Sequence, residues 1–344
     1  MKAAVFHEYG PPEVLKYEDV EPLPVGPRDV KIKVRATALN FYDVLARQGH
    51  YKPNERWPHV LGGDIAGDVV EVGREVTGVK VGQPVVVYAA VGCGVCEICL
   101  KGEPNCCVRY RYFGAHLWGG YAQFCVVPEF NVVPLYKGMS YAEAASINMT
   151  FLTSWHMLVT RAGIRAGEDI LVHAAGSGIG VAAVQIAKMT GLRVFGTAGT
   201  DEKCRKALDL GADHMINYRT HDFYEEVMRL TGKRGVDVVF EHVGKDTWDR
   251  SVRSLVRMGR LVTCGGSSGY EVTTSVAYIF HKQLTIIGSN HGTKNELTAI
   301  VKCLEARKLR PVIDRVMPLR DAARAHRMLE QREGFGKLVL EPPQ

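Results

Sequence analysis

The stretch Asp169-Ile-Leu-Val-His-Ala-Ala-Gly-Ser-Gly-Ile-Gly-Val-Ala-Ala-Val-Gln-Ile-Ala-Lys188 decides the fold. Ile170 to His173 form a short apolar run, as a buried strand does. Gly176, Gly178 and Gly180 permit a tight turn and a close approach of the backbone to a ligand. Val181, Val184, Ile186 and Ala187 then recur at helical spacing. A strand, a glycine turn and a helix in this order leave the helix N-terminus, with unpaired N–H groups and partial positive charge, facing a pyrophosphate. The G-x-G-x-x-G spacing is met loosely, since Ala175, Ser177 and Gly180 stand at its three positions while Gly176 and Gly178 are shifted by one. Taken alone, such a turn is equally an ordinary strand-to-helix connection.

The residues that follow supply the context. Arg193 to Thr197 reads as a second strand, Asp201 to Leu210 as a helix and His214 to Tyr218 as a third strand. A helix over Phe223 to Leu230, a strand over Val236 to Glu241, a helix over Trp248 to Met258 and a strand over Gly259 to Cys264 come next, and the apolar run Leu284 to Gly288 closes the series. Strands alternating with helices in this way predict a doubly wound parallel sheet with the glycine turn at its switch point. In that setting the turn reads as a dinucleotide site.

At 344 residues the chain has room for two domains, and its 46% hydrophobic content is ordinary for a soluble globular protein. No apolar run approaches the ~18 residues of a membrane span, and Met1-Lys-Ala-Ala-Val-Phe6 enters a strand, so a cytoplasmic protein without membrane partners is expected. The formal net charge of +6 is spread along the chain; it suits anionic cofactors and substrates and forms no dense stripe for nucleic acid. Nine cysteines are present, four in one tight cluster and Cys106, Cys125, Cys204, Cys264 and Cys303 scattered, a pattern that fits a reducing compartment.

Residues 1 to about 130 differ in kind. Val30 to Arg35, Gly67 to Gly73 and Gln83 to Tyr88 are strand-like runs between Gly- and Pro-rich turns, which predicts an all-β, barrel-like module. Within it, Cys93-x2-Cys96-x2-Cys99 is followed by Cys106 and Cys107. Four thiolates at such spacing can wrap a tetrahedral zinc with no open position, a structural rather than a catalytic site, with either Cys106 or Cys107 as the fourth ligand. An apolar, helix-like run over Tyr141 to Thr160 joins the two parts. Past Gly288 come a helix over Glu296 to Arg307, the run Pro311 to Met317, a helix over Ala322 to Gln331 and a strand over Gly336 to Leu340, whose two strands are expected to return to the barrel.

The order of barrel, four-cysteine lobe, Ala175-x-Ser177-x-x-Gly180 turn and returning C-terminal segment resembles the medium-chain dehydrogenase/reductase superfamily over essentially the whole chain. The stretches Ala38 to Tyr51 and Met149 to Trp155 are most similar to its quinone oxidoreductase and enoyl reductase branches, and are shared with proteins labelled zinc-binding alcohol dehydrogenases. The resemblance implies a GroES-like β-barrel domain with the zinc lobe over residues 1–145, a Rossmann dinucleotide-binding domain over 146–288 and a return segment over 289–344. It also implies one structural zinc held by Cys93, Cys96, Cys99 and Cys107. The strand Leu284 to Gly288 would otherwise present an apolar open edge, so a homodimer or homotetramer paired through it is expected.

Where the zinc-dependent members hold a catalytic zinc, this chain carries Asn40, Gly63 and Met149. Glycine has no side chain and Met is a poor zinc ligand, so no three-ligand open site is expected there. Asp43 and Asp64 remain, and Asp64 is expected in an ion pair or hydrogen bond. Hydrogen-bond donors or a proton source must then replace the metal. By resemblance these are Tyr51, the proton-donating phenol of the enoyl reductase branch; Tyr42, at the proton-relay position of alcohol dehydrogenases; and Asn40, orienting the substrate carbonyl. Either tyrosine could equally be packing with an incidental hydroxyl.

On the cofactor side the resemblance assigns Ala175, Gly176, Ser177, Gly178, Ile179 and Gly180 to the pyrophosphate. Thr153, His242, Val243, Gly265, Gly266 and Ser267 are assigned to the nicotinamide end, and Asn290 and His291 to the carboxamide, although His291 could also act on substrate and reads more commonly as a surface-loop histidine. Gly199 stands where a ribose-binding acid would favour NAD, with Thr200, Lys203 and Tyr218 around it, so NADPH is expected over NADH, while Asp201 and Glu202 nearby could accept from a ribose hydroxyl. The expected function is an NAD(P)H-dependent reductase of an activated C=C bond or a quinone. An alcohol or aldehyde dehydrogenase and a non-catalytic dinucleotide-binding protein are the alternatives.

Overall fold

A computed structural model describes residues 1–51 and 57–344. Two compact units emerge, Met1–Met149 with Thr293–Gln344, and Thr150–Gly292. The chain therefore changes units at 149/150 and 292/293 rather than at 145/146 and 288/289.

The second unit is a six-stranded sheet whose pairings are all parallel. From one edge its strands are His214–Asn217, Arg193–Ala198, Asp169–Val172, Val236–Glu241, Leu255–Thr263 and Thr285–Gly288. The chain leaves Asp169–Val172 in one direction and returns on its other side, so the glycine turn sits where the strand order reverses. Ile170, Leu171 and Val172 are fully buried, as a central strand covered on both faces requires.

The helix Gly178–Thr190 follows, with Ser177 as its N-cap accepting from the Gly180 N–H at 3.1 Å, and Gly191 closing it at φ +90°. A Cβ on Gly180 would lie 2.3 Å from the Ala174 carbonyl oxygen, so glycine alone lets the first helical turn sit this close to the strand end. The turn's left-handed residue among those of this unit's glycine loop is Ala174, at φ +45°.

Two sequence expectations are corrected. The helix expected over Trp248 to Met258 ends at Arg253, and Leu255–Thr263 is strand. Leu255 pairs with Val236 and is buried, so ladder hydrogen bonds and burial override a locally helical pattern. Tyr141 to Thr160 is not one helix but Tyr141–Ala144, Thr150–Trp155 and a π-helical turn His156–Arg161. The break serves Asp64, whose Oδ1 accepts from Asn148 Nδ2 at 3.2 Å and from the Met149 N–H at 2.9 Å. A buried carboxylate claims donors that a continuous helix would keep for itself.

In the first unit a seven-stranded sheet runs Val132–Pro134, Pro84–Val87, Asp64–Val72, Asp29–Ala38, Lys337–Glu341, Ile313–Pro318, with Phe124–Pro128 also paired to Asp29–Ala38. The two C-terminal strands do return to this module: Val339 and Leu340 lie opposite Ala38 and Thr37. That antiparallel register carries Lys337 to the level of Asn40. A smaller sheet joins Lys16–Asp19, Lys2–Phe6 and His59–Val60. Among the described residues no helix is long and apolar enough to cross a membrane.

Candidate functional site

At the nucleotide end of the second unit, Gly176, Gly178 and Ile179 lie in the turn and first helical residues, beside buried Ala175. The Ala175 N–H bonds the Thr197 carbonyl at 2.8 Å and the Ala174 N–H bonds Thr197 Oγ1 at 3.1 Å, tying the turn to the neighbouring strand. One strand over, the fully buried Glu241 carboxylate accepts from the N–H groups of Val243 (2.7 Å) and Gly244 (3.0 Å) and from the hydroxyls of Thr247 and Ser251. Buried His173 spans the layer beneath, with Nε2 at 2.8 Å from Ser251 Oγ and Nδ1 at 3.3 Å from Thr197 Oγ1, and burial pushes its pKa down. His242 Nε2 donates to the His173 carbonyl at 3.0 Å. Glu241 is absent from the expected set, although an acid closing the apolar run Val236–Glu241 is its signal.

Thr153 is buried, Gly265 and Ser267 are exposed, Gly266 is partly covered, and Ser267 N–H bonds the His242 carbonyl at 3.2 Å. Asn290 is exposed, but His291 is buried at φ +53°, which corrects the surface-loop reading.

At the end of the second strand, Thr200 caps the helix Asp201–Asp209 by accepting from the Lys203 N–H at 3.2 Å. A Cβ on Gly199 would lie 2.7 Å from the Tyr218 hydroxyl and 3.5 Å from Arg219 Nε. A side chain at 199 would press on that phenol, so glycine keeps the strand end free of a ribose-binding acid and close to a phenol and a guanidinium. Asp201 accepts from Asn217 Nδ2 at 2.8 Å and Glu202 pairs with Lys206 at 2.8 Å, so both nearby acids have partners within the protein. Arg219 also lies outside the expected set, and its adjacency to Tyr218 is the signal for it.

In the first unit, Asn40, Asp43, Asp64 and Lys337 are all buried and share one network. Lys337 Nζ donates to the Leu39 carbonyl (2.5 Å), Asn40 Oδ1 (2.6 Å) and Asp64 Oδ2 (3.0 Å). Asn40 Nδ2 donates to Asp64 Oδ2 at 3.0 Å and to the Ala38 carbonyl at 3.4 Å. With both its N–H bonds used inside the protein, Asn40 holds Asp64 and Lys337 in place; the expected role of orienting a substrate carbonyl is corrected. A Cβ on Gly63 would lie 2.2 Å from the Tyr112 ring, so no side chain can project there. Glycine at 63, Met at 149 and an ammonium beside Asp64 do not fit a catalytic metal. Lys337 too was not expected; a lysine opening an otherwise apolar strand is its signal.

Asp43 fastens the two loops of this site. Its carboxylate accepts from the N–H groups of Asn40 (2.8 Å) and Gly62 (3.2 Å) and from the Tyr121 hydroxyl. The Tyr121 oxygen meets His326 Nε2 at 3.2 Å, and Arg47 Nη1 meets His326 Nδ1 at 3.2 Å. A guanidinium only donates, so Nδ1 accepts and the proton resides on Nε2. Tyr42 stacks on Tyr51 with centroids 4.3 Å apart and leans on Tyr112 at 4.9 Å. Burial raises the Tyr42 pKa further above its ordinary value, keeping it a phenol.

Cys93, Cys96, Cys99 and Cys107 place their sulfurs within 4.8 Å of one another, the only such group of His, Cys, Asp and Glu among the described residues. The pairs Cys93–Cys99 and Cys96–Cys107 are 4.0 and 3.8 Å apart, close to the ~3.8 Å edge of a tetrahedron with metal–sulfur bonds of about 2.3 Å. Backbone N–H groups of Cys93 and Arg109 point at Cys107 Sγ, both at 3.3 Å. The donor set fits a zinc ion. Cys106 is exposed and outside the cluster.

Two family models match the chain, the alcohol dehydrogenase GroES-like domain over residues 26–137 and the zinc-binding dehydrogenase over residues 178–306. A quinone oxidoreductase of Pseudomonas aeruginosa is 34% identical over 99% of each chain. A solved NAD-dependent alcohol dehydrogenase is 45% identical, with a TM-score of 0.95 over 99% of each chain. A solved crotonyl-CoA carboxylase/reductase is 27% identical, with a TM-score of 0.92 over 99% of this chain and 88% of that one.

Burial lifts the Asp43 carboxyl from an ordinary ~3.9 to about 7, against its backbone donors and Lys337. The folded chain then binds this proton more tightly than the unfolded chain, so the residue's contribution to stability falls as pH rises from about 4 to about 7 and is constant above. Asp43→Asn lacks that titration. In urea unfolding, the stability of wild type minus variant should decline over this interval and level off beyond it; a difference independent of pH overturns the assignment.

Proposed function

The chain belongs to the medium-chain dehydrogenase/reductase superfamily and is an NAD(P)-dependent oxidoreductase, and from that premise we propose that it reduces an activated C=C bond (an enone or 2-enoyl thioester) or a quinone with NADPH and without a catalytic metal. The observation that carries this reading is Lys337, whose ammonium is bonded to Asn40 and Asp64 next to Gly63. A second cation has no ligand set there, and the positions suit a reaction in which no alcohol must be deprotonated on a metal.

A reduced nicotinamide, held by the glycine turn and the residues around Val243, would supply the hydride, to the β-carbon where the acceptor is an enone or 2-enoyl thioester. The residues of this chain do the rest. Tyr51 gives its phenolic proton to the α-carbon, completing a two-electron, two-hydrogen reduction, and regains a proton from solvent. Tyr42, stacked on it, holds the Tyr51 ring. The Glu241 network positions the Val243 and Gly244 backbone for the nicotinamide end. Tyr218 and Arg219, beside Gly199, and Lys203 would meet a 2′-phosphate.

A second reading, alcohol or aldehyde oxidation, is favoured by the 45% identical structure described as an NAD-dependent alcohol dehydrogenase. A panel of 2-cyclohexenone, p-benzoquinone, crotonyl-CoA and primary and secondary alcohols, followed at the nicotinamide absorbance, separates the two. Reduction of an unsaturated acceptor or quinone is expected, faster with NADPH than NADH. Lys203→Ala should weaken NADPH more than NADH, and Tyr51→Phe should lower enone turnover ~10²-fold with NADPH affinity nearly unchanged. Alcohol oxidation without enone or quinone reduction would establish the second reading instead.

The four-cysteine lobe is proposed to hold one structural zinc per chain. Elemental analysis should return one zinc, and Cys96→Ser should lose it and melt at lower temperature, because a structural zinc contributes folding free energy. Two tightly bound zincs per chain would overturn both this and the metal-free reaction.

Self-association is proposed through the open edge of Thr285–Gly288, which among the described residues pairs only with Leu255–Thr263. Ile286 is 38% exposed, and Val276 and Phe280 on the helix Val276–Lys282 are 69% and 60% exposed. An apolar edge of this kind is normally paired or covered. Sedimentation should show a dimer or tetramer at micromolar concentration, and a monomer would refute the interface.

A further inference from the structure

We propose that His116 is a further catalytic residue, whose Nε2–H donates a hydrogen bond to the acceptor's carbonyl oxygen. The assignment rests on the reduction reading above and names the donor that reading lacks. Asn40 has both amide N–H bonds engaged within the protein, and Lys337 has three acceptors of its own. Neither is left to meet the negative charge that grows on the oxygen as hydride adds to the β-carbon.

His116 is built into a tight turn. The Tyr112 carbonyl accepts from the N–H groups of Ala115 (3.2 Å), His116 (2.9 Å) and Leu117 (3.2 Å), and Gly114, at φ +82°, bonds back to Leu117 at 2.8 Å. The imidazole folds over the same residue, so that the Tyr112 N–H donates to Nδ1 at 3.1 Å. A backbone N–H can only donate, so Nδ1 is the acceptor and the ring proton of the neutral imidazole is on Nε2. Outside contacts clamp the turn: Trp118 Nε1 donates to the Pro58 carbonyl at 3.0 Å, and His59 Nε2 donates to the Gly114 carbonyl at 3.3 Å.

The ring lies at the tyrosine cluster, 6.1 Å from Tyr51 and 6.3 Å from Tyr110 between centroids. It is only partly buried, and Nε2 has no hydrogen-bond partner among the described residues. The titratable groups around it are Tyr51, Tyr110, His59 and Arg111. Partial burial and the Arg111 cation both lower its pKa, so the ring stays neutral at neutral pH. A neutral imidazole whose tautomer is set by the backbone polarises a carbonyl without first losing or gaining a proton. The hydrogen bond strengthens as the enolate or hydroquinone oxygen develops, and Tyr51 gives its proton to the α-carbon of the enolate or, with a quinone, to oxygen. The donor adds no atom and no electron to the balance.

The test compares His116→Leu with His116→Gln, which keeps an N–H of similar reach, in NADPH-driven reduction of 2-cyclohexenone and p-benzoquinone. His116→Leu should lower kcat ~10²-fold, the scale for loss of one oxyanion donor. His116→Gln should recover most of that loss, and both should keep the wild-type NADPH affinity and zinc content. Long-range 1H–15N spectra of the wild type should show Nε2 protonated and Nδ1 bare at pH 7. Wild-type turnover in His116→Leu, equal losses in the two variants, or a proton on Nδ1 would overturn the assignment alone. A wild type that reduces neither probe removes the reduction reading, and this assignment falls with it.

Discussion

The buried ion pair between Lys337 and Asp64 is the contact on which the first unit's site depends. Taking two charges out of water costs several kcal/mol each and is tolerable only where the remaining hydrogen-bonding capacity is used. Here it is used. The ammonium has three acceptors, and the Asp64 carboxylate takes Lys337 and Asn40 on one oxygen and Asn148 and Met149 on the other. Four separate stretches of chain meet at two charges. Removing either charge alone would strand the other, a loss on the order of 3–5 kcal/mol for such pairs.

The second unit reaches a similar end with one charge. Glu241 collects two backbone N–H groups and two hydroxyls, and His173 below it is kept neutral by burial. A carboxylate so fully solvated by fixed donors holds the loop after its strand as rigidly as a capping residue holds a helix start. Both units thus position a flexible-looking loop with a buried anion, one balanced by an ammonium and the other by hydrogen bonds alone.

Much of the architecture is legible in local pattern. The alternation from Asp169 to Gly288, the glycine turn at the switch point and the return of the last strands are carried by residues close in sequence. The misreadings share one cause. Leu255 to Met258 has a helical pattern, but Leu255 is buried opposite Val236. Residues 145–149 look helical because nothing near them reveals that Asp64 needs their donors. Lys337, Arg219 and Glu241 are placed by sheet register or by a strand end, so their partners are distant or their setting is visible only in three dimensions. Asn40 is found by resemblance, yet its role changes once its amide is seen to be fully engaged.

The return of residues 293–344 to the first unit has a consequence for synthesis on the ribosome. The second unit is one continuous segment and can finish folding as soon as it has emerged. The first cannot: Lys337 follows Asp64 by 273 positions. Until those residues have been translated, Asp64 waits without its countercharge and Asp29–Ala38 without one of its neighbours, exposing a partly built sheet to the cell's chaperones and proteases. The nucleotide-binding unit is therefore ready first, and the unit carrying the tyrosines closes only when the last strand arrives.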